Sequence, residues 1–361
     1  MRKSLIAFLV ALLTISVGSV FAQKAEWTPP RGIVIRTTTP GGTGYSEASA
    51  VGAAIKTATG VNVATPPTDS TLGQLLPIKQ GDAVATWYTG DEVMYARDGT
   101  SMFKEWGPQS IRMLWFGTAL PQGFATQKKS GIKTISDIIG RKVAKVPDDD
   151  SDMMSYDALF AYSVANPDVK DLSWNNVKPV KVSGFAAGQS ALLSGAVEVA
   201  IMSATSSTAQ ELAASMGGLR WISLDNSTEG GKKGWEAWLK LKPYDVPLYA
   251  TNELIAAGVK TPEDAAYIFG WPFLVVGYDF YPDDQLAYWL VKTMAETHNL
   301  YKDRHPQLRD WTVQNMFNNI NGWMVPIHEG AVRYYKEIGV WSAAAQAKQE
   351  ELLKLFPSNT R

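Results

Sequence analysis

Two stretches of this chain hold the residue types that bind or react. The first is Thr37-Thr38-Thr39-Pro40-Gly41-Gly42-Thr43-Gly44-Tyr45, hydroxyls and glycines set between a β-branched run and a helical pattern. Bare backbone N–H groups, neighbouring hydroxyls and the positive end of the next helix can together hold an anion. The same composition also serves plain chain reversal. The second is Asp148, Asp149, Asp150, Ser151 and Asp152, four carboxylates in five positions. Clustered carboxylate oxygens suit a hard cation such as Ca2+ or Na+, or a ligand with a positive group. Acids at a helix start are equally explained by the helix dipole.

Covalent chemistry finds little support. Histidine occurs only as His298, His305 and His328, all late in the chain, and no G-x-S-x-G turn accompanies them. His328 precedes a helical pattern and reads as a cap or core partner rather than a base. Cysteine is absent, which removes disulfides, thiolate nucleophiles and Cys-type metal sites. A net charge of −1 carries no basic patch for nucleic acid and no acidic block for disorder. The reading is a binding protein, not an enzyme, with no nucleic-acid partner.

The elements that must position these residues follow an α/β pattern. Ile33, Val34 and Ile35 read as a buried strand. Val51, Ile55 and Ala58 form the inward stripe of the next helix, which Gly60 closes. A second strand (Val61 to Ala64) leads to the turn holding Thr68, Asp69, Ser70 and Thr71, with Asp69 or Ser70 as N-cap and Leu72, Leu75 and Leu76 inward. A third strand ends in Trp87, Tyr88 and Thr89. In a parallel sheet these strand ends share one edge, where ligands bind. After the extended apolar segment Ile111 to Thr126 the plan repeats, ending one strand in Ser203-Ala204-Thr205. Two tandem α/β units suggest two lobes facing one cleft. Ile268 to Gly277 reads as one buried strand returning to the first unit, with Pro272 demanding an edge or bend. Three helices close the chain. At 361 residues there is room for two cores.

Residues 1–22 read as a signal peptide: Arg2 and Lys3, the apolar Leu5 to Val17, and small Val20 and Ala22 ahead of a cut before Gln23. The mature protein is expected to be exported to the periplasm. The remaining division is 28–120 and 268–361 for the first lobe and 121–267 for the second.

The chain resembles the TAXI-type solute receptors of tripartite ATP-independent periplasmic (TRAP) transporters. The likeness rests on Pro40 to Tyr45, the turn Thr68 to Thr71, Gly131 to Val143, and most specifically Pro326-Ile327-His328-Glu329-Gly330-Ala331-Val332-Arg333-Tyr334-Tyr335-Lys336-Glu337-Ile338-Gly339. It implies a two-lobed periplasmic-binding-protein fold of type II that closes on a small organic acid and hands it to a TRAP permease. The expected ligand contacts are Thr39, Gly42, Thr43, Gly44, Tyr45, Thr68, Ser70, Thr71, Trp87, Tyr88 and Thr89 from one lobe, and Ser151, Ser203 and Thr205 from the other. No cofactor is expected, apart from the Ca2+ or Na+ that Asp148, Asp149, Asp150 and Asp152 suggest. Two departures stand out. The four acids replace a Gly/Ser-rich loop, and the aromatics after the third strand replace an amide and an acid, which points to a flatter or more apolar acid. An ABC-type or sensor-coupled amino-acid or organic-acid receptor is the alternative. Arg36, Arg97, Arg112 and Lys145 are the basic residues near the expected edge.

Overall fold

The computed structural model describes residues 27–68, 70–147, 150–250 and 257–358. Along the chain run β1 (Gly32–Arg36), α1 (Thr43–Thr59), β2 (Asn62–Ala64), α2 (Thr71–Gln80), β3 (Ala85–Thr89), α3 (Gly90–Asp98) and β4 (Ile111–Phe116). Next come β5 (Leu120–Gln127), β6 (Lys142–Lys145), α4 (Asp150–Ala165), β7 (Lys178–Lys181), α5 (Phe185–Ser194), β8 (Ala200–Ser203) and α6 (Ser207–Ala214). They are followed by β9 (Leu219–Trp221), α7 (Glu229–Leu241), β10 (Val246–Ala250), β11 (Ala266–Trp271) and β12 (Phe273–Tyr278). The end is helical: α8 (Asp284–Glu296), α9 (His298–Tyr301), α10 (Val313–Asn318), α11 (Glu329–Glu337) and α12 (Ala343–Leu355).

These elements make a mixed α/β protein of two lobes. In the first, the strand order is β2-β1-β3-β12-β4, with β1 parallel to β2 and β3 and β12 antiparallel to both β3 and β4. In the second it is β10-β11-β5-β8, with β9 on β5 and the parallel pair β6-β7 tied in by the bridge Val143–Val199. Each lobe buries its own apolar residues: Ile35, Val51, Trp115, Leu274 and Tyr335 in one, Phe124, Tyr156, Trp238 and Phe269 in the other. Apolar burial of this kind is the main favourable term in folding.

The chain crosses between lobes twice, side by side. Ile111 to Thr126, one extended run by sequence, divides at residues 117–119 into β4 of one sheet and β5 of the other. Ile268 to Gly277 divides at Pro272, which has no N–H to continue a ladder, into β11 and β12. The Gly117 N–H bonds the Phe273 carbonyl at 2.8 Å, stitching the two crossings together. A side chain at Gly117 would put its Cβ 2.7 Å from the Trp311 ring, so the close approach requires glycine.

Local expectations are met unevenly. Gly60 does close α1 in the left-handed region at φ 77°, and Ser70 does cap α2, its Oγ accepting the Gly73 N–H at 3.1 Å. Ala58 and Leu76 are exposed rather than inward; Ala48 and Ala54 complete the buried face of α1. The final three helices are broken up, with Pro282 to Leu300 split at Thr297 and α12 added after Ser342. His328 caps α11, its Nδ1 accepting the Gly330 N–H at 3.1 Å while Nε2 lies 2.8 Å from the Pro282 carbonyl. Among the described residues no helix is long and apolar enough to cross a membrane. Residues 1–22, read as a signal peptide, lie outside the described residues.

Candidate functional site

Between the lobes lies a cavity of about 180 Å3. From the first lobe it is lined by residues 38–44, Thr68, Thr71, Gln74, Thr89, Glu92 and Phe273. From the second it is lined by Leu120, Gln122, Ser151, Asp152, residues 183–187, Gln189, Ser190, Ser203, Thr208 and Trp271. The first-lobe residues sit there because β1 and β3 are parallel, so both strands deliver their C-terminal ends to one edge.

Several helices begin at this cavity, and two of them stand out. Helix α1 starts on Gly42 and α5 on Gly184, and neither has a side-chain cap. By contrast α2, α3, α6, α7, α8, α10, α11 and α12 each begin with a side chain accepting a backbone N–H. The first turn of a helix has N–H groups without intrahelical partners, and its end carries roughly half a positive charge. The starts of α1 and α5 therefore bring two sets of open donors to one space, one from each lobe. Gly41, at φ 94°, makes the turn that aims the first set.

The lobes touch on both flanks. On one, the Thr43 and Ser203 hydroxyls share a hydrogen bond at 2.8 Å, with Thr205 Oγ1 at 3.5 Å, and Ser207 donates to the Gly41 carbonyl at 3.3 Å. His305 reaches the Thr205 carbonyl at 3.3 Å with Nε2 while its Nδ1 lies 3.5 Å from Glu47. Glu47 is fully buried one turn beyond Thr43; burial pushes its carboxyl above its ordinary value, and His305 pulls part of that back.

On the other flank a buried ion cluster crosses the seam. Lys242 Nζ donates to Asp91 of α3 and to Ser155 Oγ at 2.9 Å, lies 3.6 Å from Asp245, and sits 4.7 Å over the Trp271 ring. Ser151 donates to Asp91 at 3.0 Å, and Trp238 to Asp245 at 3.0 Å. Burial pushes Asp245 up to about 8 despite Lys242, with Asp91 adding to the rise. Lys242 is itself desolvated, yet the neighbouring carboxylates hold it above its ordinary value.

Of the residues read from the sequence, Thr39, Gly42, Thr43, Gly44, Thr68, Thr71, Thr89, Ser151, Ser203 and Asp152 line the cavity. Tyr45 and Ser70 do not, and Thr205 stands behind Thr43. Trp87 and Tyr88 do not form a wall. Strand β3 is central and covered on both faces, so Trp87 stacks on Trp311 at 5.6 Å between ring centres and Tyr88 donates to the Thr71 carbonyl. The aromatic surfaces at the cavity are instead Trp271, Phe273 and Phe185. Asp148 and Asp149 lie outside the described residues, as does the Asp150 side chain, while Asp152 is buried in the first turn of α4. None of Arg36, Arg97, Arg112 and Lys145 lines the cavity: Arg97 packs on Phe356, Arg112 faces Asp279 at 3.9 Å, and Lys145 sits over Trp174.

Sequence reading passed over Gln122, Gln189 and the start of α5. The Ser183-Gly184-Phe185 step was a readable signal, since a glycine with no Ser, Thr, Asn or Asp at the cap position repeats what happens at Gly42. Gln122 left no signal inside an apolar run.

Two lobes joined by paired crossing strands around a central cavity define the two-lobed binding-protein architecture. The chain belongs to the NMT1-like family, which matches residues 35–339. No curated protein matches it. Among solved structures, a protein of Bordetella bronchiseptica is 12% identical, with 86% of this chain and 98% of that one covered and a TM-score of 0.48. The periplasmic aliphatic sulphonate binding protein of Escherichia coli is 11% identical over 91% of this chain and 95% of its own, at a TM-score of 0.43. An amino acid ABC transporter substrate-binding protein of Streptococcus pneumoniae bound to L-arginine is 13% identical over 79% and 94%, at 0.40.

Proposed function

We propose that this chain is an exported solute receptor that captures a small molecule by closing its two lobes, with no bond made or broken. The observation that carries this reading is the pair of uncapped helix starts, α1 and α5, meeting across the interlobe cavity. Opposed donors from two bodies hold an acidic group best when the bodies are together, so ligand binding favours the closed arrangement. Thr43 and Ser203, which bond each other across the seam, are the hydroxyls placed to report closure. The size of the cavity suits a solute of about six to ten non-hydrogen atoms, since a cavity of about 150 Å3 accepts benzene.

The cargo is delivered to a membrane permease. The C-terminal motif supports a TRAP-type partner, while the names of the structurally similar proteins are closer to the ABC-type alternative; pull-down with each permease class separates them. The Asp148 to Asp152 stretch keeps Ca2+ or Na+ as a co-bound ion, tested by ligand affinity after exhaustive chelation and sodium replacement.

The test of the receptor reading is a thermal-shift screen of small organic acids, sulphonates and amino acids, followed by small-angle scattering with and without each stabilising compound. A ligand bound only by the native state raises Tm. Compaction together with a raised Tm is the expected result. A Tm unmoved by every compound, in a preparation freed of carried-over ligand by unfolding and refolding, overturns the reading.

A further inference from the structure

One flank of the seam is built of charges. Around the Lys242 ammonium stand three carboxylates, Asp91, Asp152 and Asp245, and none of the four residues is more than 5% exposed. Lys242, Asp152 and Asp245 belong to the second lobe, whereas Asp91 comes from α3 of the first. Closing the lobes therefore brings a third carboxylate to a buried ammonium that already has two. Arg97, the base on the same helix as Asp91, is taken by Asp98 at 2.7 Å and donates to the Tyr244 hydroxyl at 3.4 Å. Glu92 accepts the Thr71 hydroxyl at 2.8 Å. Tyr156, on α4 with Asp152, stays neutral, because burial and then Asp152 push it well above its ordinary value.

Three ionised carboxylates around one ammonium repel each other more strongly in a dry seam than in water, and the relief is for one of them to take a proton. The backbone decides which. Asp91 and Asp152 stand in the first turns of α3 and α4, where the positive helix end favours a negative charge. Asp245 instead follows the C-terminal, negative end of α7 and accepts the Trp238 N–H at 3.0 Å. Lys242 lies 3.6 Å from Asp245 but donates to Asp91, so in the closed arrangement the ammonium is turned toward the first lobe. Burial, partly offset by Lys242 and reinforced by Asp91, pushes Asp245 up to about 8. With the lobes apart Asp91 is withdrawn, water reaches the seam, and Lys242 is left to Asp245 as an ordinary ion pair.

We infer that closing the lobes takes one proton from solvent onto the Asp245 carboxylate beside Lys242, and that opening returns it, so that acid favours capture and rising pH favours release. This inference rests on the receptor reading above and adds a regulator to it. The sign follows from linkage: the closed form binds the extra proton, so closure is strongest in acid and is lost as pH rises toward the closed-form value of about 8. One linked proton changes solute affinity by at most about tenfold per pH unit.

The first test needs no solute. Thr43→Cys with Ser203→Cys replaces two hydroxyls that lie 2.8 Å apart on opposite lobes, in a chain without other cysteines. Oxidised, the pair locks the lobes closed; reduced and capped with N-ethylmaleimide, it wedges them apart. Carbon-13 NMR of the aspartate carboxyls, with each form titrated from pH 4 to 10, then reads the proton. The locked form should show a carboxyl with its midpoint at about 8 that is missing in Asp245→Asn, and the wedged form should show it at least one pH unit lower. Asp91→Asn, a change in the other lobe, should lower the same midpoint in the locked form, and it serves if Asp245→Asn does not fold. Locked and wedged forms that titrate alike overturn the inference. The second test is calorimetry at pH 7 in Tris and in phosphate, buffers of different ionisation heat, with each organic acid, sulphonate or amino acid that raises Tm in the screen. Uptake of about one proton per molecule bound is expected for the parent and none for Asp245→Asn. Binding and compaction without proton uptake overturn the inference and leave the receptor reading intact. A screen in which no compound raises Tm overturns the receptor reading, while the locked form still decides the proton.

Discussion

Lys242→Met should unlatch the two lobes. In the closed arrangement the Lys242 ammonium is fully buried and is the cation for Asp91, which belongs to the opposite lobe. Methionine keeps the volume and removes the charge, leaving Asp91 facing the Ser151 hydroxyl at the seam without its cation. Breaking one side of a buried ion pair costs about 3–5 kcal/mol. Here Asp91 can escape the penalty by opening into water, so the cost falls on closure more than on folding. Taking the lower end, about 3 kcal/mol lowers the closed-to-open ratio roughly a hundredfold. Asp91→Asn should be milder, because Asp245 can give up its proton and take over as the counter-charge. Asp91→Asn combined with Lys242→Met removes both charges and should recover most of the loss, as neutral replacement of buried pairs commonly does. The chain has no native cysteine, so dyes can be attached at cysteines introduced at exposed Lys56 and Met216, one on each lobe. Single-molecule energy transfer, titrated with the compound that raises Tm most, then reads the closed fraction directly. The reasoning is refuted if Lys242→Met closes at the same ligand concentration as the parent, or if the double variant is worse than the single one.

Asp245→Asn should change how stability depends on pH. Asp245 holds its proton up to about 8 when folded against an ordinary value of 3.8, so the unfolded chain binds fewer protons between those limits and stability falls as pH rises from about 4 to 8. The slope is at most about 1.4 kcal/mol per pH unit, and urea unfolding across that range should find it reduced in the variant. Thr43→Ala or Ser203→Ala deletes one interlobe hydrogen bond and should weaken binding about three- to tenfold, corresponding to about 0.5–1.5 kcal/mol, with Tm of the unliganded protein changed little. Ser70→Ala, which loses the cap of α2, should instead lower Tm and leave affinity nearly unchanged, with about 1 kcal/mol at stake. Gly117→Ala forces a methyl group against the Trp311 ring and should cost about 1–3 kcal/mol, read as a lowered Tm; an unchanged Tm would mean the crossing is not as tight as drawn.

By itself the sequence determined the elements and their punctuation. The β-branched run of β1, the glycine at the end of α1, the cap of α2 and the His328 start of α11 are decided by local propensity and by hydrogen bonds a few residues apart. Parallel pairing of β1 with β3 then placed Thr39 to Gly44, Thr68, Thr71 and Thr89 near one edge, because strands of one direction end on one side. Everything that depends on partners distant in the chain was left to the tertiary structure. Trp87 and Tyr88 looked like a binding wall because a central strand and an edge strand read alike; only the covering helices and β12 made them core. The cleft contact between Thr43 and Ser203 spans 160 positions, and the bond between Asp91 and Lys242 spans 151. Gln122 became a buried acceptor only because β4 and β5, continuous in sequence, separate into different sheets. No periodicity encodes which of several acids two lobes will enclose; that is decided by how the bodies meet.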